Sequence, residues 1–215
     1  MRLYRAQFVG KNQLPRNFRM LVSGPTGSGK TSFVEELIQS DRVEKKFENI
    51  YYCYPDHFEE PPVQWDNWPD VIVHYIPFIP DISFIKTIKK DSLLVFDDNY
   101  DQIIKNSAIS SAMKIYARRN FSVIIITQFY YENGTFSRVI RNQMNAVVLF
   151  PNFGDSSMNK TIAKQLGVST QFNLAKKETE NRKYDPIVIL SNEIVSTPEL
   201  RVQTRYLTQY PYCYK

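Results

Sequence analysis

Short apolar segments alternate with stretches of helical periodicity along most of the chain. Some apolar segments, such as Leu93–Phe96 and Val123–Ile126, contain no polar position, which is typical of strands that are buried on both faces. This alternation predicts an α/β fold with a mainly parallel sheet and helices on both faces. The strands are predicted at 18–23, 49–54, 71–76, 92–97, 121–127, 146–150 and 186–190.

Helical spacing occurs in three stretches. The first follows the first predicted strand, and the second follows the fourth. The third, near 156–166, ends at Gly167, where a helix C-cap is common. The Pro-rich segment 55–69 is predicted to be a loop. The apolar positions with helical spacing in the first two stretches are Phe33, Val34, Leu37 and Ile38, and then Ile103, Ile104, Ala108, Ala112, Ile115 and Tyr116.

The organisation of the chain is predicted to be simple. No repeat, low-complexity segment or convincing internal boundary interrupts the 215 residues, so we expect a single domain over 1–215. Its core is predicted at about 16–195 and an extended C-terminal tail at 196–215. The hydrophobic content of 43% and charged content of 23% indicate a globular rather than a disordered protein.

Composition excludes several functional classes. No apolar run approaches the roughly 20 residues of a membrane-spanning helix, and the start of the chain lacks a secretory signal pattern. Cys53 and Cys213 form no CxxC, and His57 and His74 have no cysteine partners. Neither a zinc site nor a disulfide framework is therefore expected, and we predict a protein of a reducing compartment that is not secreted. The net charge of +5 permits contact with a polyanion without requiring it.

The strongest chemical signal is GPTGSGKT, Gly24 to Thr31, which fits G-x-x-x-x-G-K-[ST] between a predicted strand and a predicted helix. Glycines let several backbone N–H groups turn toward a phosphate, and the new helix adds its positive end. Lys30 can reach β- and γ-oxygens, and the Thr31 hydroxyl is a ligand for Mg²⁺. A chance match in a turn is the alternative. The pattern predicts an ATP and Mg²⁺ site at Gly24, Pro25, Thr26, Gly27, Ser28, Gly29, Lys30, Thr31 and Ser32.

Two adjacent carboxylates follow the fourth predicted strand. In open α/β sheets, ligands bind at the carboxyl ends of the strands. We therefore expect Asp97 to hold Mg²⁺ together with Thr31, and Asp98 to polarise the attacking water. A solvated acidic loop is the alternative. ATP-hydrolysing enzymes with a phosphate loop of this kind more often have Glu at the position of Asp98, and Asp is shorter by one methylene.

Gln128 closes the fifth predicted strand, and Arg118 and Arg119 precede it. If this strand lies beside the strand that leads into the phosphate loop, the Gln128 amide is near the γ-phosphate and can orient water or sense the phosphate. The two arginines are then at the opposite end, where they can act only on the γ-phosphate of a neighbouring subunit. Solvated arginines at a helix C-terminus are the alternative.

Together, GPTGSGKT, LLVFDD, the Arg118-Arg119-Asn120 triplet and Gln128 resemble the FtsK–HerA superfamily of DNA-pumping ATPases. The closest resemblance is to the short viral genome-packaging ATPases of poxviruses, other large DNA viruses and polinton-like elements, and it runs from about residue 16 to 206. It implies a RecA-like (ASCE) P-loop NTPase fold in which the glutamine strand separates the first and fourth strands.

The resemblance also implies partners and a place of action. It implies double-stranded DNA as the translocated substrate and a homo-oligomeric ring in which Arg118 or Arg119 is a trans-acting arginine finger. A capsid or portal protein is a further implied partner, and no membrane is. The implied location is the host cytoplasm or nucleus at sites of virion assembly, or the virion itself.

Three functional interpretations follow. The first is an ATP-hydrolysing DNA translocase for viral packaging. The second is a P-loop kinase that phosphorylates a nucleoside or small molecule. Such kinases usually lack an acid beside the Mg²⁺ carboxylate, and they carry a basic lid that is not obvious here. The third is an idle nucleotide-binding scaffold, against which Lys30, Thr31, Asp97 and Gln128 count.

The segment after the glutamine strand carries weaker signals. Arg138, Arg141 and Asn142 are predicted on a short helix, near the phosphates or a subunit interface, or simply solvated. The aromatic residues before that helix are predicted either to face a DNA pore or to pack inside the protein. They are Phe129, Tyr130 and Tyr131, next to a turn at Gly134.

Overall fold

The computed structural model describes residues 3–5, 13–44, 46–65, 67–107, 109–111, 121–150, 156–180, 182 and 184–214. The chain divides into two compact units. The first unit comprises Met1–Gln13, Val22–Arg42 and Asn145–Lys215, and the second comprises Leu14–Leu21 and Val43–Met144. This division does not test the prediction of a single domain over 1–215, which stays a prediction.

The elements follow the predicted alternation of strands and helices. All seven predicted strands are present, and each begins and ends within one residue of its predicted position. The strands are β1 Leu3–Arg5, β2 Arg19–Ser23, β3 Asn49–Cys53, β4 Ile72–Ile76, β5 Leu93–Asp97, β6 Ser122–Thr127, β7 Ala146–Leu149, β8 Ile187–Leu190, β9 Val202–Thr204 and β10 Tyr212–Tyr214. The helices are α1 Lys30–Gln39, α2 Ile82–Thr87, α3 Tyr100–Ile103, α4 Ser137–Gln143, α5 Ser156–Gln165 and α6 Ser169–Thr179, with a 3₁₀ turn at Pro198–Leu200.

The second unit is a sheet in the order β2-β6-β5-β3-β4, and the pairs β6–β5, β5–β3 and β3–β4 are parallel. β6 lies between β2 and β5, as the resemblance implied. The Phe18 carbonyl accepts from the Val123 N–H at 2.9 Å, and Asp97 is in register with Ile126. Every residue of β6 is buried, which explains its continuous apolar sequence. This order brings the carboxyl ends of β5 and β6 side by side.

The first unit contains the last residues of β2 and the remaining strands in the order β2-β7-β8-β9-β10-β1. The pairs from β7 to β1 are antiparallel, so this part of the sheet is antiparallel rather than parallel. The predicted extended tail at 196–215 is in fact part of the packed unit. Tyr206 and Tyr214 are buried, and the strands Val202–Thr204 and Tyr212–Tyr214 pair with each other.

Two of the three predicted helical stretches are confirmed. α1 buries Phe33, Val34, Leu37 and Ile38, as their spacing predicted. α5 ends before Gly167, whose φ of +68° is the left-handed conformation expected of a C-cap glycine. The predicted helical stretch after the fourth strand is interrupted, because α3 ends at Ile103 and a turn follows before residues 107 and 109–111 are helical again. Much of the remainder lies at 112–120, outside the described residues. None of the helices described has both the length and the apolar character to cross a bilayer.

Candidate functional site

The phosphate loop joins β2 to α1 and has the curled backbone that its sequence predicts. Gly27 and Gly29 have φ values of +72° and +92°, a conformation that residues with a Cβ rarely adopt. The Ser28 N–H donates to the Pro25 carbonyl at 3.2 Å and closes a tight turn. The Phe33 N–H then donates to the Gly29 carbonyl at 2.9 Å and begins the helix. The loop is therefore a concave backbone surface at a helix N-terminus, the geometry that binds phosphates.

Lys30 is held against this loop. Its Nζ donates to the carbonyls of Gly24 at 2.8 Å and Pro25 at 3.0 Å. The hydroxyl of Ser28 is buried and has no hydrogen-bond partner among the described residues. The ammonium, the buried hydroxyl and the turned backbone suit a polyanion with several acceptor oxygens. The chemistry of the loop thus fits the phosphates of a nucleotide.

Gly24 allows the loop to pack closely on the end of β7. A Cβ at Gly24 would lie 2.5 Å from the Cβ of Phe150 and 3.0 Å from the Ser28 Oγ. The Phe150 N–H donates to the Ser23 carbonyl at 2.9 Å, so the backbone on both sides is tied together. The first glycine of the motif is therefore required by close packing, and not by a left-handed backbone.

A cavity of about 640 Å³ adjoins the phosphate loop within the first unit. One side is formed by the start of α1, and the other by the segments around β8 and β9. Its size lies within the range of small-molecule sites. The sequence did not predict it, because part of its wall, Arg205–Thr208, comes from the segment that was predicted to be a tail. The residues that form it from α1 and the loop are Gly29, Ser32, Phe33 and Glu36, and Tyr184 and Tyr206 are among those opposite.

The second unit carries the predicted carboxylates. Asp97 is the last residue of β5 and is partly exposed, and its Oδ2 accepts a hydrogen bond from the hydroxyl of Tyr52 on β3. Burial raises the pKa of Tyr52 far above its ordinary value, and the neighbouring Asp97 raises it further. Tyr52 is thus a protonated donor at any pH of interest and orients Asp97. No sequence motif contains Tyr52. Its residue type and its place in a predicted strand are the only features of the sequence that could have suggested a hydrogen-bond donor to Asp97.

Asp98 and Gln128 are brought together at the adjacent ends of β5 and β6. Asp98 is exposed and has a left-handed backbone with a φ of +55°, while its N–H donates to the Ile126 carbonyl at 3.3 Å. The Gln128 Nε2 donates to the Asp98 Oδ1 at 3.3 Å. Both side chains line a cavity of about 200 Å³ together with Glu132, a carboxylate that sequence reasoning missed. Burial, and next the charge of Asp101, raise the pKa of Glu132.

The loop after Gln128 is fixed at two points. The Phe136 N–H donates to the Ile104 carbonyl at 2.8 Å, and a Cβ at Gly134 would lie 2.5 Å from the Ile104 Cγ1. The Arg141 guanidinium lies over the rings of Tyr130 at 5.8 Å and Tyr131 at 5.0 Å from their centroids. Arg141 and Tyr130 therefore have a packing role within the second unit.

The remaining predicted residues divide into exposed and undescribed ones. Phe129 is 53% exposed, and Arg138 and Asn142 are exposed on α4. Arg118 and Arg119 lie outside the residues that the structure describes.

Known proteins resemble the chain in sequence and in fold. The family model described as "Poxvirus A32 protein" matches residues 5–205. The DNA packaging protein OPG160 of Variola virus is 27% identical over 138 residues, which cover 58% of this chain and 50% of that protein. The same values hold for OPG160 of Vaccinia virus strain Copenhagen. The chain spans about half the length of the curated relatives it matches.

Solved structures confirm the predicted fold class. The genome packaging NTPase B204 from Sulfolobus turreted icosahedral virus 2, in complex with ATP-gammaS, superposes with a TM-score of 0.56 at 14% identity, covering 84% of this chain and 95% of that chain. Its complex with AMP gives a TM-score of 0.57 at 13% identity, over 94% and 98% of the two chains. The family model covers nearly all of the sequence, and the chain therefore belongs to the poxvirus A32 protein family.

Proposed function

We propose that the protein is an ATPase that hydrolyses Mg·ATP and uses the energy to move double-stranded DNA during viral genome packaging. The observation that carries the proposal is the phosphate loop, in which Lys30 and the buried Ser28 hydroxyl lie against a backbone curled for phosphates. The names of the relatives, a DNA packaging protein and a genome packaging NTPase, support the biological role.

The nucleotide phosphates are assigned to the loop from Gly24 to Thr31. Backbone N–H groups and the ammonium of Lys30 would donate to the β- and γ-oxygens. Hydroxyl and carboxylate oxygens are the donors that Mg²⁺ prefers, and Thr31 and Asp97 supply them. When bound, Mg²⁺ would neutralise part of the charge that develops on the phosphates. The hydroxyl of Tyr52 would keep the Asp97 carboxylate in one orientation.

Water activation is assigned to the ends of β5 and β6. Asp98 would accept a proton from the attacking water, and the Gln128 amide would orient that water. The hydrogen bond between their side chains supports a joint role, because it holds the carboxylate and the amide within reach of one small molecule.

A homo-oligomeric ring is proposed from the sequence pattern. In it, Arg118 or Arg119 of one subunit would stabilise the charge on the γ-phosphate bound by the next. Double-stranded DNA would be the substrate moved, and a capsid or portal protein would recruit the ring. The proposed place of action is the site of virion assembly in the host cytoplasm or nucleus, or the virion itself.

The test of the ATPase proposal is phosphate release from Mg·ATP with and without linear double-stranded DNA of increasing length. We expect turnover that DNA stimulates in a length-dependent manner, and its loss in Lys30→Ala because the β- and γ-oxygens lose their cation. A phosphorylated acceptor in place of free phosphate would identify a kinase instead. Binding without turnover would identify a scaffold.

The arginine finger has its own test. The double variant Arg118→Ala plus Arg119→Ala is expected to bind ATP normally and to hydrolyse it poorly. Mixing it with Lys30→Ala is expected to restore part of the activity, because each variant then supplies what the other lacks. Normal hydrolysis by the double variant, or its failure to bind ATP, would contradict a finger acting in trans.

A further inference from the structure

We propose that the cavity beside α1 binds the base and ribose of the nucleotide, with Tyr184 as the residue on which the base stacks. This inference rests on the proposed function, because it presumes that the triphosphate is bound by the adjoining loop. It assigns a site to the base and ribose, which the phosphate-loop motif does not contact.

The first argument is position. The cavity of about 640 Å³ reaches Gly29, the residue that caps α1, and continues along Ser32 and Glu36 on the next turns. A triphosphate held at a helix N-terminus has its nucleoside attached at one end. The phosphate loop and the cavity share Gly29, so a single molecule of nucleotide can occupy both without a gap.

The second argument is the exposed ring of Tyr184. This side chain is 64% exposed although it lies beside the loop, and its Cδ1 is 3.2 Å from the position of a Cβ on Gly29. A large exposed aromatic side chain at the mouth of a concave site offers a face on which a base can stack. The absence of a side chain at Gly29 lets the ring lie close to the phosphate loop, so the ring adjoins the site where the nucleoside would leave the phosphates.

The third argument is that the wall around Tyr184 is held in place by polar contacts. Arg182 forms ion pairs with Glu178 at 3.1 Å and Asp185 at 3.3 Å. Asp185 also accepts a hydrogen bond at 2.9 Å from the N–H of Arg205, whose φ of +52° is unusual for a residue with a Cβ. The segment before β8 and the turn after β9 are thereby tied together, which shapes the site in advance of ligand binding.

The inner surface of the cavity is largely aromatic and apolar. Phe33, Pro186 and Tyr206 line it and are buried. The Tyr206 ring is in turn fixed by Arg42, whose guanidinium lies 5.1 Å from its centroid. Planar, rigid walls suit a planar base. Stacking alone is tolerant of base identity, so we expect ATP and GTP to depend on Tyr184 to a similar degree.

The test compares ATP with inorganic tripolyphosphate, which carries the phosphates without a nucleoside. Calorimetry on the full chain measures the Kd of both ligands for the parent, Tyr184→Ala and Tyr184→Phe. Loss of a base–aromatic stack is expected to raise the Kd for ATP by roughly 5-fold or more and to leave that for tripolyphosphate unchanged. Tyr184→Phe keeps the ring and is expected to bind ATP as the parent does.

Tyr210→Ala is the matched control. Tyr210 is also an exposed tyrosine of the first unit, at 46%, but it does not line the cavity, so its loss is expected to change neither Kd. An unchanged Kd for ATP in Tyr184→Ala would overturn the inference, and so would an equal rise for both ligands. Lys30→Ala is expected to weaken both ligands, which separates the phosphate site from the nucleoside site. Failure of the parent to bind either ligand would overturn the proposed function and this inference together.

Discussion

Removing the hydroxyl of Tyr52 tests the orientation of Asp97 without changing the carboxylate itself. Tyr52 is fully buried on β3, and its ring packs on Trp65 at a centroid distance of 5.0 Å and on Tyr75 at 6.2 Å. Tyr52→Phe keeps these ring contacts. It removes only the hydrogen bond that the hydroxyl donates to the Asp97 Oδ2.

The expected magnitude follows from the charge and exposure of the acceptor. A hydrogen bond to a charged group contributes roughly 1.5–3 kcal/mol. Asp97 is partly exposed, so water replaces part of what is lost, and we expect a decrease of about 1.5 kcal/mol in the free energy of unfolding. For a chain of this length the melting temperature should fall by roughly 3–6 °C. A released carboxylate also binds a metal less well, so the Mg²⁺ concentration for half-maximal ATPase activity should rise roughly 10-fold.

The assay combines thermal unfolding with a Mg²⁺ titration of ATP hydrolysis. Tyr51→Phe is the matched control, because it removes a hydroxyl from the next residue of the same strand. Its ring, which stacks on His74 at 4.5 Å, is retained in that variant. We expect the control to follow the parent in both measurements. A Tyr52→Phe protein with the parent's Mg²⁺ requirement would refute the claim that Tyr52 orients a metal-binding carboxylate.

Further predictions concern packing and pH. Gly24→Ala should lower the free energy of unfolding, measured in urea, by about 1–3 kcal/mol, because its Cβ meets that of Phe150. Gly27→Ala should lower it less, by about 1 kcal/mol of backbone strain, because its Cβ points into open space. The reverse order of the two variants would contradict the close packing at Gly24. Burial raises the pKa of Tyr130 to about 12 from 10.0, so the unfolded chain loses this proton at a lower pH than the folded protein does. The free energy of unfolding should therefore not change on this account below pH 10 and should fall by about 1.4 kcal/mol by pH 11. Tyr130→Phe should reduce that loss. The pKa of Glu132 is raised, so its ionised form is disfavoured in the folded state. The melting temperature of Glu132→Gln should therefore be above that of the parent at pH 7 and equal to it at pH 4. Equal melting temperatures at both pH values would remove that argument.

The sequence predicted those parts of the fold that local pattern and motif spacing determine. β5 and β6 contain runs of consecutive apolar residues, and α1 has a clear buried face, so the sequence predicted these elements. β9 and β10, which pair with each other, are three residues each, and β9 contains the polar residues Gln203 and Thr204, which are buried in the folded unit. No periodicity can indicate such pairing in advance, since it depends on contacts between distant segments.

The candidate site divides in the same way. Lys30, Asp97 and Gln128 belong to motifs in which residue type and spacing indicate a chemistry, so the sequence alone is enough to name them as candidates. Tyr52 contacts Asp97, and Tyr184 lies beside Gly29. Both of these neighbours are far away in the sequence, and the local sequence around each tyrosine is that of an ordinary strand or loop. Supporting residues of this kind become visible only once the strand order and the turn after β9 are known.

The hydrogen bond between Gln128 and Asp98 bears on the proposed role of Gln128 in orienting the attacking water. The amide nitrogen carries two N–H groups, and one of them is directed to the carboxylate at 3.3 Å, which is long for a hydrogen bond to a charged acceptor. A weak bond of this kind leaves the second N–H and the carbonyl oxygen of the amide for water or a phosphate oxygen. The carboxylate in turn keeps acceptor capacity for the proton of that water. Asp98 has a left-handed backbone, and its N–H donates to the Ile126 carbonyl, which ties the backbone of Asp98 to β6. A Gln128 side chain that turned toward another acceptor would lengthen this already long bond to Asp98, so the bond restrains the amide only weakly.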